Sequence, residues 1–163
     1  MNQTVAIVWF EKKKGQDVKV LLPSRIYGPH SRLFADALEH LDIPSKIMPS
    51  EEEMLFELVF KNTFVFTINI AGLKIGGTTG SLWTKHSHLA RRVAHDVIDI
   101  QERLIGRSLP RNRLISDLEM AANGDPEHKC VGRSAMERLI RIIKIVDKAG
   151  LEIPTIRKIQ NTL

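Results

Sequence analysis

The segment from Ser50 to Leu73 constrains this chain more than any other. Ser50 and Glu53 form a capping box, in which the serine oxygen accepts from the third-residue amide and the glutamate reaches back to the serine amide. The acidic run Glu51 to Glu53 also suits a helix N-terminus. From Met54 the chain is apolar almost all round, through LFELVF and FVFTINIAGL, and such a helix has to be central and buried. The β-branched and aromatic residues of Phe64 to Ile70 make a strand the alternative; length and the cap favour the helix. The longest uncharged apolar stretch, Asn62 to Leu73, falls short of the roughly 20 residues that a membrane-spanning helix needs.

Composition narrows what can surround this helix. The 163 residues hold one ordinary domain, and 43% hydrophobic with 26% charged is a globular balance. One Cys and six His leave no disulfide framework and no Cys-based zinc site. The start, MNQTVAIVWFEKKK, has its charges after a short apolar run, the reverse of a secretory signal, so the chain reads as soluble and cytoplasmic. A net charge of +5 is modest, and aromatics are only 6%. Lys12 to Lys14 sit beside Gly15 at a hairpin tip, and Arg91, Arg92, Arg103, Arg107, Arg111 and Arg113 alternate with apolar positions. These cations read as solvated faces and turns, with a nucleic-acid patch as the lesser alternative.

Before the central helix, Thr4–Phe10 and Val18–Leu22 read as a β-hairpin around KKKGQD. Ser31 can cap a helix from Arg32 to Leu41 with Leu33, Phe34, Ala37, Leu38 and Leu41 on one face, and Pro44 and Pro49 bracket a short strand at KIM. After it, Gly72, Gly76, Gly77 and Gly80 make a sharp helix-to-helix bend; GLKIGGTTG matches neither phosphate-loop spacing. Further helices are predicted over His88–Ile105, Asn112–Ala122 and from Ser134 to Ala149, closed by Gly106, Gly124 and Gly150, with a short one after Pro154. The fold class is mainly α: a helical bundle with a short N-terminal β-hairpin, divided into a lead-in at 1–28 and a helical domain at 29–163.

Candidate chemistry is sparse. His88, His95 and Asp99 share a helical face near His86, but Arg92 stands on it too, so solvent-facing side chains are expected rather than a metal site. Cys130 lies in a loop as a reduced thiol, and Ser116-Asp117 has no evident third partner. Arg138, Arg141, Lys144 and Lys148 line the outer side of the penultimate helix as a solvated stripe. Lys61 and Asn69 are more informative. They lie eight residues apart in an apolar segment, so two turns bring them to the same side of one helix. An unpartnered buried ammonium is costly, which suggests a polar pocket, a carboxylate ligand or an interface; Lys61 reaching outward and Asn69 satisfied within the bundle is the alternative.

These residues resemble the C-terminal helical domain of the ketopantoate reductase (2-dehydropantoate 2-reductase) family. Glu53-Met54, Lys61, Asn69, Gly76 and Gly80-Ser81-Leu82 fall at the family's relative positions without a gap, with Val59 in place of its Trp and Val65 in place of its first Asn. Asp117-Leu118, Gly132-Arg133 and Gly150-Leu151-Glu152-Ile153-Pro154 resemble its later landmarks, so the likeness spans roughly residues 30 to 160. The resemblance implies a bundle of the 6-phosphogluconate-dehydrogenase C-terminal-like type. It implies a catalytic Lys61 acting as general acid on a ketone oxygen, Asn69 binding substrate, and a catalytic Glu137. A second register puts Ser134 at the last position, and another puts Glu57 at the lysine.

The sequence has no GxGxxG after a first strand, so no nicotinamide nucleotide is expected on this chain by itself. NADP would enter only with a separately encoded Rossmann domain, and the N-terminal hairpin could be a remnant of such a domain's sheet. The expectation is a substrate and dimerisation module, working as a homodimer. The alternatives are the substrate half of a split NADPH-dependent 2-ketoacid reductase and a basic nucleic-acid-binding module.

Overall fold

The structure, a computed structural model, describes residues 3–163; Met1 and Asn2, the first residues of the expected lead-in, lie outside them. Residues up to Lys61 form one compact unit and Asn62–Leu163 another.

In the first unit the hairpin is present but shorter than expected. Strand β2 (Phe10–Glu11) pairs antiparallel with β3 (Lys19–Val20). Strand β1 (Val5–Ile7) pairs instead with β4 (Ser24–Tyr27), with Ala6 opposite Ile26. Trp9 is where the ladder changes partner: its carbonyl accepts from Leu21 N at 2.8 Å, and its own N–H donates to Ser24 Oγ at 3.2 Å. Helix α1 (Ser31–Glu39) then crosses over to β5 (Ser45–Ile47), which lies parallel to β4. The sheet order is β1-β4-β5, and a parallel pair needs a crossover of this kind. Its core is Ile26, Leu38 and Ile43, flanked by Ala6, Phe10, Val20 and Ala35.

Two expectations for α1 are corrected. His30 stands at its N-cap, and no side chain caps the helix. Leu33 and Leu41 are 71% and 65% exposed, because α1 turns Ala35 and Leu38 toward the sheet. Gly28 makes the preceding corner with φ 122°, and a Cβ there would lie 2.4 Å from the Gln3 carbonyl oxygen. Only glycine meets both conditions.

Helix α2 runs Glu51–Ile75, so the strand alternative for Phe64–Ile70 is not realised. Glu53 N donates to Ser50 Oγ at 3.1 Å, one arm of the expected capping box. By length and hydropathy α2 could cross a membrane, but more than half of its most apolar window is buried inside the protein. Gly76 and Gly77, at φ 65° and 72°, take the chain out of the helix.

In the second unit the glycine bend holds a helix that the sequence reading missed, α3 (Thr79–Lys85), with Thr78 Oγ1 accepting from Ser81 N. The loop at 125–130 lies on this bend: Thr79 N donates to the His128 carbonyl, Gly80 N to that of Pro126, and Cys130 N to that of Gly77. A Cβ on Gly80 would come 2.8 Å from Pro126 Cβ, and one on Gly72 would come 2.6 Å from Cys130 Cβ. Helix α4 (Ser87–Ile105) buries Ala90, Val93, Ala94, Val97 and Ile98 completely and packs on α3, α5 (Arg111–Gly124) and α7 (Pro154–Gln160). Leu104, in the last turn of α4, is 57% exposed although its helical spacing from Val97 and Ile100 predicts it inward. Helix α6 (Ala135–Ala149) buries Leu139, Ile142, Ile143 and Val146 as its spacing predicts. Gly106 and Gly150 cap α4 and α6 in the left-handed conformation. The fold is mainly α with a short hairpin and a small sheet.

Candidate functional site

Lys61 sits in the first unit, half-buried on α2. Its Nζ donates to the Val8 carbonyl and stands 5.0 Å from the centre of the Trp9 ring. The Trp9 ring in turn packs on Phe60, centroids 5.5 Å apart. A carbonyl dipole and an aromatic face both favour a cation, but neither neutralises it as a carboxylate would. Burial accordingly lowers the Lys61 pKa from its ordinary value. Glu57, one turn earlier and the other candidate for the lysine position, forms an ion pair with Arg25 at 3.2 Å. The two candidates differ chemically: Glu57 is neutralised within the chain, whereas Lys61 has a depressed pKa and two further N–H donors to offer.

Asn69 sits in the second unit and is 4% exposed. Its Oδ1 accepts from Arg138 Nη1 at 2.6 Å. Gly132 lies alongside, and a Cβ there would be 3.5 Å from the same oxygen. Arg138 is therefore turned inward, a correction to the solvated stripe in which its spacing with Arg141, Lys144 and Lys148 had placed it. Glu137, one residue earlier in the first turn of α6, is exposed, and Ser134 stands half-buried at the N-cap with no side-chain cap bond. Arg138, not Glu137, is the residue of this turn that reaches Asn69. Helical spacing separates the two by a single position, and only the packed structure shows which one turns inward. Trp9 was also missed, since nothing in its local sequence couples it to a lysine on α2.

The remaining candidates resolve as structural groups. His88 and His95 are exposed, and among the described residues no cluster of three or more His, Cys, Asp or Glu gathers. Asp99, expected to face solvent, pairs with Arg111 at 2.5 Å; Arg111 also bonds Glu102. Burial alone would raise the Glu102 pKa, but the Leu109 amide at 2.8 Å and Arg111 outweigh it and hold the carboxyl below its ordinary value. Asp96 is 5% exposed on α4, and its Oδ2 accepts from Ile156 N at 2.9 Å, closing the N-terminus of α7. Burial raises its pKa against the pull of the Ile156 and Thr155 amides. Cys130 is fully buried, with its thiol pushed up to about 11 by burial, an inert side chain.

No family model and no curated protein matches this chain. A solved structure does. The fold is similar to that of a 2-dehydropantoate 2-reductase. That protein, from Porphyromonas gingivalis W83, superposes with a TM-score of 0.65 at 9% sequence identity, over 98% of this chain and 53% of its own. The chain thus spans about half the length of the reductase it matches. At this identity the likeness is one of fold, and it supports a ketopantoate-reductase-like helical domain.

Proposed function

We propose that this chain is the helical substrate and dimerisation domain of a ketopantoate-reductase-like protein. The observation that carries the proposal is the match to a 2-dehydropantoate 2-reductase over nearly all of this chain and half of that one. The half-buried Lys61 amine supports it, because a general acid works best with its pKa drawn toward the operating pH. In this reading the nucleotide is held by a separately encoded domain, since the sequence has no GxGxxG.

In this reading Lys61 supplies the proton that a ketone oxygen takes up as it becomes a hydroxyl. The Val8 carbonyl and the Trp9 ring hold the ammonium in place. Asn69, its Oδ1 held by Arg138, is the substrate-binding candidate by position. Glu137, the second catalytic candidate by position, is an exposed carboxylate that does not reach Asn69, and its surroundings lend that role no support.

The test is reconstitution. The purified chain, mixed with the nucleotide-binding domain of a ketopantoate reductase, should oxidise NADPH only when a 2-oxo acid is supplied. Lys61→Ala should lower that rate by about 10²–10⁴-fold with the circular dichroism spectrum unchanged. No oxidation with any 2-oxo acid would reject the reading. Full activity in Lys61→Ala would reject the role of the lysine.

A further inference from the structure

The outward side of α6 has an apolar centre that nothing else in the second unit covers. Met136 and Ile140 are 44% and 49% exposed, and with Leu139, Ile143, Lys144, Gln160 and Leu163 they line a groove of about 300 Å³. At about 100° per residue, the strip centred on Ile140 also carries Glu137, Lys144 and Asp147. Asp147 is taken by Arg157. Glu137 and Lys144 have no ion-pair partner among the described residues.

We infer that this strip binds the same strip of a second copy, the two α6 helices lying antiparallel across a two-fold axis near Ile140. The inference rests on the dimerisation part of the proposed function and names its surface. The order of charges selects the occupant. Glu137 and Lys144 flank Ile140 at three and four residues on opposite sides. An antiparallel two-fold therefore sets each Glu137 beside the partner's Lys144 and each Ile140 against its counterpart, the self-complementary arrangement of an isologous interface. Parallel helices would oppose Glu to Glu and Lys to Lys. A helix of uniform charge from another protein would meet one of the two groups with the wrong sign. Met136 then lies under the methylene stem of the facing lysine, which covers apolar surface while its ammonium stays solvated.

Sedimentation velocity on the full chain decides the matter. The wild type should be a dimer, and Ile140→Glu should make it monomeric without changing the circular dichroism spectrum, because Ile140 is half exposed. Glu137→Lys and Lys144→Glu should each weaken the dimer by about threefold to tenfold, and the double exchange should restore it, since the pair is re-formed with its signs reversed. A wild type that stays monomeric at the highest attainable concentration overturns the inference. So does a dimer that survives Ile140→Glu, or a double exchange no better than its parents. None of these readouts involves a nucleotide or an oxo acid, so the dimer can stand where the reductase reading fails, and the reverse.

Discussion

The two units handle buried polar groups differently. In the second, three buried or half-buried groups close gaps in the helical framework. Asp96 satisfies an amide at the start of α7, Glu102 bonds the Leu109 amide ahead of α5, and Thr79 anchors the bend to the loop at 125–130. In the first, Arg25 has Glu57 as its counter-charge, but Lys61 has a carbonyl and the face of an aromatic ring. A group whose burial completes a helix end is explained by the fold. A half-buried cation without a carboxylate is left with donors that a ligand can use, and this contrast separates Lys61 from the structural groups.

The contrast can be broken in several ways. The largest effect expected is on turnover in the reconstituted assay: loss of Lys61 should raise the barrier by about 3–5 kcal/mol, with thermal melting shifted little. Next comes Gly28→Ala, which forces a side chain into a left-handed corner against the Gln3 carbonyl. It should destabilise the first unit by about 2–3 kcal/mol, read by urea denaturation followed through Trp9 fluorescence. Asp96→Ala should cost about 1–2 kcal/mol and speed hydrogen exchange at the Ile156 amide, whereas Asp96→Asn, which keeps the acceptor, should lose much less. Gly150→Ala meets no atom within 4 Å and strains only its φ of 62°, so about 1 kcal/mol is expected from the same denaturation experiment.

The smallest effect is a pH dependence. The folded pKa of Lys61 lies below its ordinary value of 10.5, so between the two the unfolded chain binds more protons than the native one. Stability relative to Lys61→Met should therefore rise as the pH is taken up through that alkaline window, and the difference should be constant at neutral and acid pH. A difference that falls with increasing pH would mean that the cation is favoured by the fold, and the contrast with Arg25 would collapse.

How much of this was legible in the sequence differs by element. The spacing of Ala90, Val93, Ala94, Val97 and Ile98, and of Leu139, Ile142, Ile143 and Val146, gave the inward faces of α4 and α6, because helical neighbours lie three and four residues apart. The left-handed glycines closing those helices were readable for the same local reason. The partner of β1 was not, because Val18–Leu22 and Ser24–Tyr27 both offer apolar residues, and burial of Ile26 against Leu38 and Ile43 decides between them. Helix α3 was missed because its cap, Thr78, is embedded among glycines that read as a plain bend. At the candidate site Lys61 and Asn69 stood out as polar residues in an apolar run, but Trp9 and Arg138 did not.

By itself, then, the sequence determined the helical character of the chain, the long central helix with its Ser50 cap, and the two polar residues set within it, since periodicity and capping act within a few turns. Only the tertiary structure decided which strand β1 joins, that Arg138 rather than Glu137 turns to Asn69, and that Lys61 rests on Trp9. Those contacts join residues tens of positions apart, and their energies depend on packing that no local pattern encodes.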